Sequence, residues 1–262
     1  MVFPYLGLVQ FLRFCFPWFS YFGLSYRLLY TDEFGDEVGL DEVQLLDPPL
    51  EERVPALTEM LESPDPYLSY QAVLILVAWG KDIGLNKLEE LIERTDISSF
   101  GFSPNRITGE DNIYDELSYS VHLYGLSEGD KGRMLRVFEK LLALYPNHFF
   151  ESKLKHALLK NKFSVLLPAI ESAINQSFEK GLYYQSSQLL PVLAQLDSDK
   201  GWQYVQKFKG LSVSTPDPAA NIAEALKFCP TEESQTLLYQ YEQSISPGVA
   251  EAAKNSLQYL AS

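Results

Sequence analysis

The first side chains to consider for chemistry in this sequence of 262 residues are its histidines. His148 and Glu151 stand three residues apart, a spacing that can present two metal ligands on one face of a helix. His156 lies more than two helical turns beyond His148, so no third ligand is apparent. We therefore expect capping or surface roles for these side chains and predict no metal site.

The sequence offers equally little for covalent or acid–base catalysis. Cys15 lies among aromatic residues and Cys229 precedes a proline, and neither cysteine has a base nearby in the sequence. Adjacent carboxylates such as Glu89 and Glu90 point to different faces of a helix and cannot share a proton. The sequence also has no glycine-rich phosphate loop and no Gly-x-Ser-x-Gly elbow. We predict a protein that is not an enzyme and binds no cofactor.

The charge is large and unevenly distributed. The net charge is −14, and residues 31–146 carry a balance of −15 against −1 for residues 147–262. The densest run, Asp32 to Glu52, has nine acidic residues and no Lys or Arg. This balance argues against nucleic acid as a partner, because phosphates are bound through Lys and Arg. An acidic run is typical either of a solvated segment or of a surface that steers a basic protein.

The hydrophobic pattern is helical from residue 48 onward. Leu50, Val54, Leu57 and Leu61 recur at three- and four-residue spacing, and similar stripes continue to the end of the chain. Asp, Ser and Pro residues stand at nearly every junction, as they do where helices begin and end. No convincing alternating run of Val, Ile and Thr appears. The pattern predicts an all-α fold of about ten to twelve short antiparallel helices.

Three segments of the sequence look alike: 61–76, 211–226 and 245–257. Each has a helix, a turn with Asp-Pro or Ser-Pro, and a second helix with small alanines. This arrangement resembles the HEAT-repeat family and its armadillo-like relatives, although the arginine usual in the second helix is absent. The resemblance implies a right-handed superhelical array. An irregular helical bundle is the alternative.

The sequence divides into three segments on these grounds. Residues 1–30 form an aromatic N-terminal helical segment, residues 31–48 an acidic linker, and residues 49–262 the helical-repeat domain. The uncharged stretches of the first segment are too short for a membrane-spanning helix. We expect this segment to pack on the next element, with insertion into a membrane surface as the second interpretation.

An irregular stretch from Asp96 to Asn112 interrupts the helical pattern, and loops of this length are often functional. Aromatic and acidic residues are mixed in it and just after it, which favours a protein contact. Its alternative interpretation is an insertion that folds over its own helices. The candidate partner-binding residues, from this stretch and from the acidic run, are Phe102, Arg106, Asp111, Tyr114, Asp115, Glu116, Tyr119, Asp36, Glu37, Asp41 and Glu42.

These features together predict a cytoplasmic, non-catalytic protein that binds a basic protein partner. In size, charge and architecture the chain resembles immunity proteins of bacterial toxin–immunity systems. That resemblance implies neutralisation of a basic toxin, such as a secreted nuclease, by covering its active site. A peripheral membrane adaptor docked through residues 1–30 is the main alternative. A lyase-type enzyme on a helical-repeat scaffold is the third.

Overall fold

The computed structural model describes residues 17–94, 97–105, 109–127, 129–211 and 217–262, with side chains from residue 23 onward apart from Ser98. About 72% of the structure is helical. Within those ranges there is no strand, only two isolated bridges between short extended segments. The predicted all-α class is confirmed.

The described residues form fifteen α-helices. They are α1 (Pro17–Tyr30), α2 (Leu40–Gln44), α3 (Val54–Met60), α4 (Pro66–Ala78), α5 (Asp82–Glu93), α6 (Ile113–Leu126), α7 (Lys131–Leu144), α8 (Lys153–Asn161), α9 (Leu167–Glu179), α10 (Tyr183–Gln188), α11 (Leu190–Leu196), α12 (Ser198–Phe208), α13 (Ala219–Leu226), α14 (Glu232–Glu242) and α15 (Pro247–Ala261). The number exceeds the prediction because short helices such as α2 and α10 carry no apolar stripe that periodicity could detect. Of the helices in the described part of the chain, none is long and apolar enough to cross a membrane.

The chain divides into two compact units. Unit 1 contains residues 1–91 and 123–129, and unit 2 contains residues 92–122 and 130–262. Residues 31–48, expected as a linker, include α2, whose Val43 is buried and accepts a hydrogen bond at its carbonyl from the Trp79 indole, at 3.0 Å.

Unit 1 is built around α4, which is buried on every side from Ser69 onward. All ten residues from Ser69 to Ala78 are buried, and the helix packs against α1, α2 and α3. Its first turn is fixed by the Asp65 carboxylate, which accepts the backbone N–H of Tyr67 at 2.9 Å. Helix α5 also approaches α4 closely: a Cβ added at Gly84 would lie 2.6 Å from the Leu76 Cβ. Only glycine fits at that position.

Unit 2 keeps neighbours in sequence as neighbours in space. Consecutive helices from α11 to α15 pack on one another, and so do the alternate pairs α7–α9, α9–α11, α11–α13 and α13–α15. Small residues allow the close contacts, since a Cβ at Gly201 would lie 2.5 Å from the Ala194 Cα. Side chains of Asp130, Asp197 and Thr231 accept backbone N–H groups at the starts of α7, α12 and α14.

The core of unit 1 gives a direct stability prediction. Ala72 on α4 is fully buried, so Ala72→Glu would place a charge without a partner in an apolar core and should cost about 4 kcal/mol or more. Glu93 is an exposed residue on α5, and Glu93→Ala removes only its ion pair with Lys140, which should cost about 0.5 kcal/mol. Thermal unfolding measures both. Equal shifts in Tm would contradict the assignment of α4 to the core.

Candidate functional site

The acidic run folds into a compact turn, residues 32–42, which we call the acidic turn. The Asp32 carboxylate accepts the backbone N–H groups of Phe34 and Asp36, both at 2.9 Å. The Asp32 N–H in return donates to the Asp36 carbonyl at 3.0 Å. Gly35 has a backbone φ of +88°, which residues other than glycine rarely adopt. These local bonds give the turn a defined conformation.

Arg53 stabilises the acidic turn through hydrogen bonds to its backbone and to the residue before it. One guanidinium nitrogen donates to the Thr31 carbonyl at 2.6 Å, and the other donates to the Asp32 carbonyl at 2.7 Å. Partial burial lowers the pKa of Arg53, yet a guanidinium remains charged at neutral pH. Because the donor is ionised, these hydrogen bonds are stronger than neutral ones. Arg53 therefore fixes the backbone of the turn, in which Glu33, Asp36, Glu37 and Asp41 are exposed to solvent.

Phe34 projects from the acidic turn into solvent, with 82% of its surface exposed. Exposed carboxylates stand beside it in the sequence at Glu33, Asp36 and Glu37. Aromatic side chains are enriched in the cores of protein–protein interfaces. The sequence analysis missed Phe34, although its signal was present: it is the one aromatic residue in the run from Asp32 to Glu52.

Four of the predicted partner-binding residues lie on the acidic turn. Asp36, Glu37, Asp41 and Glu42 are all exposed. The Glu42 carboxylate accepts the Gly39 N–H at 3.1 Å and so helps to start α2. Among the hydrogen bonds of the described residues, the other three carboxylates accept no backbone N–H group. The structure therefore brings the first predicted group together on one exposed segment of unit 1.

The second predicted group lies in unit 2, and its loop is closed on itself. The Asp111 carboxylate accepts the N–H groups of Phe102, Ser103 and Ile113 at 3.0 to 3.1 Å. Phe102 is half-buried and stacks on Phe100, with ring centroids 5.1 Å apart. Asp111 therefore organises the backbone of the loop. Arg106 lies outside the described residues.

Tyr114 and Asp115 were also predicted to contact a partner, and in the structure both side chains are fully buried. The Asp115 carboxylate lies at the start of α8. One oxygen accepts the N–H groups of Glu151, Ser152 and Lys153 at 2.9 to 3.2 Å, and the other accepts that of Leu154 at 2.8 Å. Asp115 caps a helix distant in sequence, and nothing in its local spacing could reveal that role.

Glu116 and Tyr119 are half-buried next to this cap. The Glu116 carboxylate pairs with the Lys153 ammonium, whose nitrogen also lies 5.3 Å from the centre of the Tyr119 ring. Lys153 thus connects the two residues through an ion pair and a cation–π contact. Of the unit 2 candidates, Glu116 and Tyr119 keep partial access to solvent, whereas Tyr114 and Asp115 have none.

The described residues contain no group of three or more His, Cys, Asp and Glu side chains placed to hold a metal ion. Burial raises the pKa of Cys229 to about 11, so its thiol is protonated at neutral pH and is a poor nucleophile. Burial lowers the pKa of His122, His148 and His156, all in unit 2. These residues act as neutral packing and hydrogen-bonding groups.

Asp115→Asn should destabilise the protein much more than Glu116→Gln. In the wild type, backbone N–H groups donate to the carboxylate oxygens of Asp115, and the NH₂ group of an asparagine cannot accept them. We expect a loss of about 2 to 3 kcal/mol in the free energy of unfolding. Glu116→Gln removes a partly exposed ion pair, worth about 1 kcal/mol or less. Urea unfolding compares the two. A similar loss for both would mean that Asp115 is not the essential cap.

We expect the protein to lose stability in mild acid because of the environment of His122. The Asn161 amide nitrogen donates to the Ala157 carbonyl and lies 2.9 Å from His122 Nδ1, which must therefore accept and be unprotonated. Burial and the nearby Lys160 and His156 lower its pKa. Its stabilising contribution is present above the unfolded-state pKa of about 6.5 and is lost as the pH falls through the lower folded-state value.

The measurement is the free energy of unfolding at about pH 7.5 and about pH 5.5. We expect the wild type to lose stability across this range and His122→Gln, which cannot be protonated, to lose less. The same pH slope in both proteins would show that His122 does not contribute.

Comparison of the chain with protein-family models, with curated proteins and with solved structures finds no match. The resemblance to HEAT repeats therefore rests on the three similar segments of the sequence, and that to immunity proteins rests on size, charge and architecture. The acidic turn and the surface around it are therefore the features of the structure that bear on function.

Proposed function

We propose that this protein is a non-catalytic binding protein whose acidic first half recognises a basic protein partner through the acidic turn. The observation that carries the proposal is Phe34, 82% exposed at the tip of a turn that Arg53 and Asp32 hold in place. Aromatic anchors supply most of the energy in many protein interfaces. Because the turn is already ordered, binding costs little further conformational entropy.

The carboxylates around Phe34 determine the charge of the partner surface that can bind there. Exposed Glu33, Asp36 and Asp41 give the turn a dense negative field. Such a field accelerates encounter with a basic surface and disfavours acidic ones. The aromatic ring then acts after encounter, by slowing dissociation. The division of roles between charge and ring can be tested by kinetics.

We also propose a HEAT-like arrangement for the helices of unit 2 and an immunity function in the cytoplasm. The packing of consecutive and alternate helices within unit 2 supports the first, since stacked helix pairs make contacts of this kind. The second is supported by the excess acidic charge and by the exposed anchor, which suit a protein that covers the active site of a basic toxin. Solenoid surfaces are suited to gripping a protein.

One observation keeps the membrane adaptor as a second candidate. Leu24 and Tyr26 on α1 are exposed by 56% and 43%. Exposed apolar and aromatic side chains on one helix are typical of a membrane-surface contact. Flotation of the full chain with vesicles, compared with Leu24→Ser, tests this candidate. Flotation that depends on Leu24 would favour it over the basic protein partner.

The main test is binding kinetics with the purified partner, captured by affinity from native lysate. A charge variant combines Glu33→Gln, Asp36→Asn and Asp41→Asn, and its control neutralises Glu179, Glu232 and Glu233, which are exposed in unit 2. At about 50 mM salt the charge variant should associate about tenfold more slowly, with a smaller difference at about 300 mM. Phe34→Ser should mainly speed dissociation, about tenfold.

Ile245→Ser is the control for the aromatic anchor, because Ile245 is fully exposed in unit 2. If the control variants lose as much as the acidic-turn variants, the partner contacts unit 2 and the proposed surface is wrong. For a nuclease-type partner, inhibition at one-to-one stoichiometry that is lost in Phe34→Ser would support the immunity role. Binding without inhibition would contradict that role and leave the binding function in place.

A further inference from the structure

Unit 1 has a second surface beside the acidic turn, a groove between α1 and α4. The groove has a volume of about 550 Å³. Its walls are mostly apolar and aromatic, formed by Tyr26 and Tyr30 from α1 and by Tyr67 and Leu68 from α4. Asp65, at the start of α4, also lines it. We call this surface the tyrosine groove.

The three tyrosines of the groove are held in place by one another. The rings of Tyr26 and Tyr30 lie 5.3 Å apart, centre to centre, at an angle of 35°. The Gln71 amide donates to the Tyr30 hydroxyl, and burial together with the nearby Tyr30 hydroxyl raises the pKa of Tyr67. The aromatic walls are therefore ordered before any ligand binds, which favours affinity.

Carboxylates stand at the edge of these aromatic walls. The carboxylate of Glu37, which belongs to the acidic turn, raises the pKa of the Tyr26 hydroxyl through hydrogen bonding and charge. Asp65 supplies the other carboxylate of the groove. Of the cations nearby in the sequence, Arg27 is exposed next to Tyr26, and Arg53 is engaged with backbone carbonyls. The tyrosine groove thus borders the acidic turn at Tyr26, which lines the groove.

We propose that the tyrosine groove binds an arginine side chain of the basic partner, an inference that rests on the proposed function. A guanidinium is attracted to the faces of aromatic rings and can pair with a carboxylate at their edge. The three tyrosines supply the faces, and Glu37 and Asp65 supply the charge. Phe34 and the groove would then contact the same partner.

Other ligand classes fit these walls less well. A purely apolar side chain would take the charged carboxylates of Asp65 and Glu37 out of water without supplying a cation to pair with them, which costs free energy. An acidic ligand would be repelled by both carboxylates. A lysine ammonium is a strongly hydrated point charge that cannot stack its plane on a ring as a guanidinium does. Arginine satisfies the ring faces and the carboxylates together.

The test uses fluorescein-labelled hexa-arginine as the probe, with hexa-citrulline as its neutral isostere, and fluorescence anisotropy of the full chain at about 50 mM salt. We expect hexa-arginine to bind more tightly than hexa-citrulline. Tyr67→Leu should weaken hexa-arginine about fivefold, whereas Tyr67→Phe, which keeps the ring, should bind like the wild type. Tyr239→Leu, on an exposed tyrosine of unit 2, is the matched control and should change nothing.

The outcomes separate this inference from the proposed function. If the acidic-turn charge variant weakens hexa-arginine but Tyr67→Leu does not, the groove assignment is overturned and the basic-partner proposal stands. Equal binding of hexa-citrulline overturns the arginine assignment and also counts against a basic partner. Loss in Tyr239→Leu equal to that in Tyr67→Leu overturns the groove. Flotation with phosphatidylcholine vesicles that Tyr67→Leu abolishes would assign the groove to a lipid headgroup instead.

Discussion

The Arg53 guanidinium lies half-buried beneath the acidic turn and donates to the carbonyls of Thr31 and Asp32. A cation in this position allows a run of like charges to keep one backbone conformation, which repulsion alone would oppose. The proposed site depends on this contact. Without it, Phe34 and its neighbouring carboxylates would lie on a flexible segment, and binding would have to order that segment first.

Acidic residues serve two different purposes in this chain. Asp65, Asp111 and Asp115 cap helix starts or close a loop, and their oxygens accept backbone N–H groups. In the acidic turn, Asp32 has such a role, whereas Glu33, Asp36, Glu37 and Asp41 are exposed to solvent. The balance of −15 in residues 31–146 therefore overstates the charge that a partner meets. The structure restricts the steering field to the carboxylates that remain exposed, with the acidic turn as their densest run.

Sequence reasoning could predict what depends on local pattern. The all-α class, the burial of α4 and the capping role of Asp65 follow from periodicity and from residues that start helices. It failed where a role depends on contacts distant in sequence. The spacing around Asp115 resembles that of any acidic residue early in a helix, whereas its partners lie more than thirty-five residues away. Phe34 was missed because the charges dominate the sequence pattern around it, and it is the single aromatic residue among them.

The most direct test of the central claim is hydrogen–deuterium exchange of the full chain with and without the purified partner. The account predicts that binding slows exchange in residues 32–42 of unit 1 and that Phe34→Ser removes this protection. Protection confined to residues 147–262, with unchanged exchange in the acidic turn, would contradict it.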